Sequence, residues 1–397
     1  MSLCTYAERS WKNGGEAPPT SHRFAGRVEL SRLDLDETKG LRRHPPRPIE
    51  HRQPGYDEQF DALNVFYDCF ASLDGRRLIC LGPPLLNLEP VVVPAVERYF
   101  RKALFSRRDV RRLDRNAQIW MKRRRNCETL EGGYFKQEQL VVQPNQCELF
   151  RGKRVLLGIS KNNELSWIRD WVWFYISSHG CNAVLLYDNA STQYGVEQIY
   201  EVLSTLRGLD VILVTTWPYK WGCLAGPNGI WDSDFAQNGM LEHARHRFLS
   251  RADGVVNSDI DELVVTKSGR SIFDLVSNSH TGYLNYEGIM IENVSVGEVV
   301  GMGRHRDFVH RQSPPQPATR KWSVVPSRCP VSSQWCIHQV TEMRPDAEAS
   351  TDVTHRHFMT IRTPWKYPRS TPQQPGEHHQ VDEELVNRMR CFRDTSD

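Results

Sequence analysis

The sequence predicts an α/β fold: a mostly parallel sheet flanked by helices, preceded by a smaller β-rich module. From residue 154 onward, continuous apolar runs alternate with amphipathic stretches, the pattern of strands buried on both faces and helices that cover them. The connections are short, as in parallel sheets wound by crossover helices. Polar clusters recur just past the apolar runs, and the carboxyl ends of such strands are where ligands bind.

Four segments follow from composition. Residues 1–55 are polar and rich in Pro, Arg and His, most openly at His44-Pro45-Pro46-Arg47-Pro48, and are expected to be a disordered leader. Residues 56–150 form the module. Leu63–Phe70, Leu78–Leu81 and Val91–Val93 read as strands, with a hairpin turn at Asp74-Gly75. From Arg101 to Arg125, eleven basic residues face two acidic ones, Asp109 and Asp114, with apolar residues interleaved. This reads as a basic helix, either packed on the next domain or in peripheral contact with an anionic membrane. Nucleic acid is not expected as a partner, because no helix-turn-helix or RNA-binding signature accompanies the charge.

Residues 151–370 carry the alternation. Arg154–Ile159 is a strand, and Asn162 or Asn163 is placed to cap a helix over Glu164–His179 that stops at Gly180. Ala183–Tyr187 and Val211–Val214 are strands, and Val196–Leu206 is the helix between them. A Trp- and Gly-rich loop spans Thr216–Asp234, followed by a helix over Phe235–Arg251. Residues 371–397 are a tail. The chain of 397 residues, 25% charged and 39% hydrophobic, has the profile of a soluble globular protein. With no membrane-length apolar run and no signal-peptide core, it is expected in the cytoplasm, at most peripheral at the inner face of the membrane. Ten cysteines without a Cys-x-x-Cys pair fit reduced, buried thiols.

The chemistry concentrates at Asn257-Ser258-Asp259-Ile260-Asp261-Glu262, between the apolar runs Val255-Val256 and Leu263–Val265. Carboxylates there are costly unless paired or metal-bound. Asp259 and Asp261 together make a hard-oxygen clamp for a divalent cation that also carries phosphates. Ser160-Lys161-Asn162 and Asp188-Asn189 fall at neighbouring strand ends, so three polar clusters converge on one edge.

With those residues in place, the chain resembles the GT-A glycosyltransferases, and more narrowly a bacterial family-2-like group related to glycosyltransferase family 92. The likeness rests on Lys161-Asn162-Asn163-Glu164 with Trp167–Trp171, then Tyr187-Asp188-Asn189-Ala190-Ser191. It continues through Phe235-Ala236-Gln237, His243-Ala244-Arg245, Asp259-Ile260-Asp261-Glu262, Lys321-Trp322, His338 and His355-Arg356-His357-Phe358.

The resemblance implies a GT-A fold and Mn²⁺ or Mg²⁺ as cofactor. It implies a nucleotide diphosphate sugar, UDP-sugar foremost, as donor, and a glycan or lipid-linked acceptor in bacterial surface polysaccharide synthesis. By the same resemblance Asp261 ligates the metal, Asp259 contacts it or the ribose, and His357 or His355 completes the site. Asp188 meets the uracil or ribose, while Ser160, Lys161, Asn162, Glu164 and Asn189 surround the base. Gln237, a cofactor-binding candidate, falls with Leu241 and Arg245 at four-residue spacing on one helix stripe, from which Arg245 or His243 can reach the diphosphate or face solvent. The aromatic side chains of Trp217, Tyr219, Trp221 and Trp231 can form a sugar-stacking lid or a hydrophobic plug over the sheet edge, and Arg320, Lys321 and Lys366 can offset phosphate charge. Inverting transfer needs a general base, for which Glu287, Glu292 and Asp307 are the candidates. Two alternatives stand beside this reading: a non-catalytic glycan-binding protein on the same fold, and a metal-dependent nucleotidyl or phosphoryl transferase. The second lacks a Gly-x-x-x-x-Gly-Lys-Ser/Thr loop.

Overall fold

The computed structural model describes residues 28–100, 109–122, 130, 133–223, 232–363 and 370–392. The module is a four-stranded antiparallel sheet of β1 (Asp68–Ala71), β2 (Arg77–Gly82), β3 (Asp109–Leu113) and β4 (Asn116–Lys122), in the order β1-β2-β4-β3. Helix α1 (Glu89–Phe100) packs on it. The Asp74-Gly75 turn is present, with Gly75 at φ 67°.

Three expectations for this region are corrected. The Val91–Val93 run lies in α1, where Pro90 at the helix start supplies no donor that the first turn would use. The described part of the basic stretch is the β3–β4 hairpin rather than a helix, and residues 101–108 and 123–125 lie outside the described residues. Its Asp114-Arg115 turn has Arg115 at φ 56°, and both faces of β4 are buried up to Met121. Residues 28–55 of the expected disordered leader pack against the module, with Leu33, Leu35, Arg43 and Arg47 buried, and residues 1–27 lie outside the described residues.

The second sheet has eight strands. They are β5 (Arg154–Ser160), β6 (Ala183–Asp188), β7 (Val211–Thr216), β8 (Gly254–Asn257), β9 (Glu262–Thr266), β10 (Tyr283–Ile291), β11 (Pro317–Val324) and β12 (Val353–Phe358). Their order is β9-β12-β10-β11-β8-β5-β6-β7. Strands β5 to β8 are mutually parallel, β10 and β12 share their direction, and β9 and β11 run against them. The fold is therefore the mixed, mostly parallel α/β sheet that the sequence predicts.

Strand alternation divides the core between the two faces. Leu156, Val184 and Ile212 meet Trp167, Trp171 and Phe174 of α2 (Leu165–His179), which ends on Gly180 at φ 68°. Val155, Leu157, Leu185 and Leu213 meet Met240 and Leu241 of α4 (Phe235–His243), which follows α3 (Val196–Ser204). Tyr67, Phe70, Ile79, Leu81 and Trp120 of the module join the α4 face. The N-cap of α2 is Glu164, with no side-chain cap bond, because Asn162 (φ 54°) is tied to Ser191 and Thr192 and Asn163 to Ser160 at the end of β5.

Close approach fixes α4 against the module. A Cβ at Gly239 would stand 2.6 Å from Cε2 of Tyr67, whereas one at Gly297 would meet nothing within 4 Å. Gly239→Ala is expected to cost about 1–3 kcal/mol through overpacking, seen as a lower urea midpoint, and Gly297→Ala to leave the midpoint in place. Equal midpoints for the two variants would refute the contact.

Polar groups also cross this interface. Glu242 is buried and accepts from Gln118 Nε2 (2.6 Å) and from the Trp335 backbone N–H (2.8 Å). Burial pushes its carboxyl up, but Arg245, His246 and the Trp335 N–H outweigh that and hold it at about 2. A depressed carboxylate stabilises the fold above its unfolded value of 4.5 and loses that contribution as pH falls through about 2. Glu242→Gln should therefore be less stable than the native chain at neutral pH and converge on it in acid. Denaturation curves separated by a constant gap from pH 7 to pH 2 would contradict this.

Candidate functional site

The carboxylate turn is built where β8 ends. Strand β8 lies between β5 and β11, and Asn257 Nδ2 donates to the Ile337 carbonyl at 3.0 Å. Ser258 closes the turn from below: its N–H donates to the Leu157 carbonyl (3.1 Å) and its hydroxyl to the Glu262 carbonyl (2.9 Å). The turn is reciprocal, since the Glu262 N–H donates to the Asp259 carbonyl and Glu262 Oε2 accepts from the Asp259 N–H, both at 3.0 Å. His305 Nε2 holds the Ile260 carbonyl at 2.9 Å. Asp259 and Asp261 thus flank an anchored residue, and β9 begins at Glu262.

Three carboxylates, Asp259, Asp261 and Glu262, offer oxygens within 4.8 Å of one another. Such crowding requires cations, and two side chains supply charge. Lys321 on β11, 2% exposed, puts Nζ 2.6 Å from Asp259 Oδ2 and 3.0 Å from Glu262 Oε2. His357 on β12 pairs in register with Glu262, its Nε2 3.3 Å from Asp261 Oδ2 and its Nδ1 3.6 Å from Glu262 Oε1.

The ionisation of these groups follows from the geometry. Burial opposes charge on Asp259, but Lys321 dominates and its carboxyl falls below the usual range. Glu262, buried deeper beside two other acids, is pushed up to about 7 by burial despite Lys321. Burial disfavours the imidazolium of His357, yet Asp261 and Glu262 raise it to about 9.

Asp259, Asp261 and His357 open onto a cavity of about 320 Å³ at the carboxyl ends of β5, β10 and β12. Lys161, Asn163 and Arg362 also line it, and Ile159, Trp221, Met290, Phe358 and Met359 form its apolar wall. The hard oxygens and imidazole suit Mn²⁺ or Mg²⁺. The Asp261–His357 spacing is that of two groups able to share one ion, and Asp259 Oδ1 meets Gln237 Nε2 at 3.3 Å. Glu262 lies on the other side of the His357 ring, at the ion-pair distance of 3.6 Å, and a cation bound by that ring would have to displace its proton.

Other sequence candidates lie elsewhere. Ser160 Oγ accepts from Asn163 Nδ2 (3.0 Å), and Asn162 bonds Ser191 and Thr192, joining the loops after β5 and β6. Asp188 accepts from the Ser191 hydroxyl and N–H, three residues on, so its carboxylate is engaged within its own loop. Asn189 Nδ2 holds the Trp217 and Tyr219 carbonyls, each at 2.8 Å. Glu164 caps α2 by its carbonyl alone. None of these five side chains lines the cavity.

Arg245 is not brought to the cavity: its guanidinium is buried against the Ser333 and Pro330 carbonyls, because the chain after α4 continues as a π-helical turn that aims it at that loop. His243 is buried against Asp68 and Tyr187. His355 lies beneath His357, ring centroids 6.4 Å apart, with Nε2 on the Thr319 carbonyl at 2.8 Å. His338 bonds the Arg320 carbonyl. Of the aromatic lid, Trp217 and Tyr219 are core residues, Trp221 lines the cavity, and Trp231, like Lys366, lies outside the described residues.

Among the proposed bases, Glu287 is exposed and paired with Arg320, and Asp307 caps its own turn through the Arg304 N–H at 2.7 Å. Glu292 Oε1 is buried without a partner among the described residues. Met290, Met359 and Arg362 escaped the sequence reading because no motif marks them. Only strand register and the fold of the segment after β12 bring them to the acids.

No protein-family model matches the chain, and no curated protein matches it. Among solved structures it is similar to an active-site mutant of LgtC, at 17% identity over 35% of this chain and 46% of that one, with a TM-score of 0.23. It is also similar to the galactosyltransferase LgtC in complex with donor and acceptor sugar analogs, at 15% identity over 35% and 47%, with a TM-score of 0.21. The chain spans about half the length of these structures.

Proposed function

We propose that this chain is a metal-dependent glycosyltransferase that moves a hexose from a nucleotide diphosphate sugar, UDP-sugar foremost, to a glycan or lipid-linked acceptor. Inverting transfer in bacterial surface polysaccharide synthesis is the setting we assign to it. The observation that carries this reading is the meeting of Asp259, Asp261 and His357 on one lip of a cavity at the carboxyl ends of parallel strands.

In this reading Asp261 and Asp259 would hold a divalent cation, joined by His357 once the ion displaces its ring proton, with Glu262 beside the ring. The bound ion would supply a Lewis acid for the charge that develops on the departing diphosphate. Lys161 and Arg362 border the same space and add positive potential for phosphates. Trp221 and Met290 give the apolar wall a sugar ring needs on one face. Glu292 does not itself line the cavity, but it follows Ile291 at the carboxyl end of β10, and it is the base we assign because its buried Oε1, without a partner among the described residues, can take a proton without first breaking an ion pair.

UDP with Mn²⁺ is expected to raise the melting temperature, by about 2.7 kcal/mol of linkage when the ligand stands at 100 times its Kd, and either alone to raise it less. No shift with any nucleoside diphosphate plus metal would sink the proposal. Lys321 favours a second reading, since its ammonium already gives Asp259 and Glu262 a cation: transfer without a metal. Turnover that survives exhaustive chelation would select it.

A further inference from the structure

We propose that Cys69 and Cys80 are a modification site, forming a cross-strand disulfide when the chain meets a small-molecule disulfide oxidant such as oxidised glutathione. The inference stands apart from the sugar-transfer reading.

The two thiols are directly opposed on β1 and β2, with Sγ atoms 3.1 Å apart. Backbone directions identify the kind of pair. The Cys69 carbonyl accepts from the Gln143 N–H at 2.8 Å, and the Cys69 N–H donates to its neighbour Asp68. Both groups therefore point away from β2, and Cys69 and Cys80 are a non-hydrogen-bonded pair. In such pairs the Cα atoms approach to about 4.5 Å and the side chains come closest. That separation lies inside the range a disulfide spans, about 4.4–6.8 Å. The strands are also fixed in register by the Asp74-Gly75 hairpin and by β4 on the other side of β2, so the thiols cannot slip out of opposition.

Both side chains are fully buried, which places the reaction on the chain before this core closes or when it opens. One thiolate attacks the oxidant's disulfide, forming a mixed disulfide and releasing one small thiolate. The second thiolate then attacks the protein sulfur, forming the Cys69–Cys80 bond and releasing the other. Two protein thiols are oxidised and one small disulfide is reduced to two thiols, so electrons balance.

The test unfolds the full chain, refolds it in buffers of graded glutathione to glutathione disulfide ratio, alkylates the remaining thiols and maps peptides without reduction. Expected at the oxidising end is a peptide pair joined through Cys69 and Cys80, with both residues unalkylated, and its disappearance at the reducing end. Full alkylation of both residues at every ratio, glutathione retained on either one, or joining of either to another cysteine would overturn the proposal. Because the native sequence is mapped directly, the result does not depend on a cysteine variant folding.

Discussion

Asp261→Asn is expected to lower turnover by about 10³-fold or more while the chain stays folded. The magnitude is that of losing a preorganised group that stabilises charge in the transition state. Asp261 suits this test because its partners are few: it meets His357 at 3.3 Å, its carbonyl accepts from the Phe358 N–H whatever the side chain, and asparagine has the same shape. Asp259 is a poorer probe. It shares Lys321 with Glu262, so its loss disturbs a buried network as well as the ligand set. The measurement pairs steady-state release of nucleoside diphosphate with Mn²⁺ binding followed by electron paramagnetic resonance, and far-UV dichroism as the control for folding. Native turnover in Asp261→Asn would remove the metal-dependent reading. Lost turnover with unchanged Mn²⁺ affinity would move the ion off Asp261 and leave the residue some other role.

The sheet was legible because its central strands are buried on both faces. Runs such as Val155-Leu156-Leu157 and Val184-Leu185-Leu186 read as strands covered on both faces, as in parallel sheets. The carboxylate turn was legible for the converse reason, since charges between two apolar runs demand partners. The basic hairpin was misread because Val110, Leu113, Ala117 and Trp120 fall at helical spacing, and its turn carries Asp114-Arg115 where glycine would have signalled a hairpin. Arg245 shows a different limit. Its place eight residues after Gln237, two steps of four through Leu241, is real, but the helix changes to π geometry at Ala244 and rotates the later side chain away. Lys321 was expected to offset phosphate charge because sequence cannot show depth. Strand β11 pairs Trp322 with Asn257, and in that antiparallel register the buried Lys321 ammonium meets Asp259 and Glu262.

Lys321→Met is the substitution expected to cost most in stability, about 3–5 kcal/mol, because it removes one member of a buried ionic cluster and leaves the others uncompensated. Methionine nearly fills the same volume, so packing contributes little and the loss reports charge. The pH dependence separates this account from a packing defect. Even beside Lys321, burial pushes Glu262 up to about 7. An acid raised in the folded state opposes folding once pH exceeds its unfolded value of 4.5, and more so up to its folded value. Without the ammonium that folded value climbs further, so the penalty should grow from acid toward alkaline pH and be smallest below about 4.5. Adding Glu262→Gln to Lys321→Met should recover part of the loss, because one stranded charge is gone, and a double-mutant cycle in urea gives the coupling. A loss below about 1 kcal/mol, flat with pH and additive with Glu262→Gln, would show that water reaches Asp259 and Glu262 and that Lys321 is no counter-ion to them. A large, pH-graded and partly rescued loss would instead make Lys321 the cation that lets three carboxylates share one turn before any metal arrives.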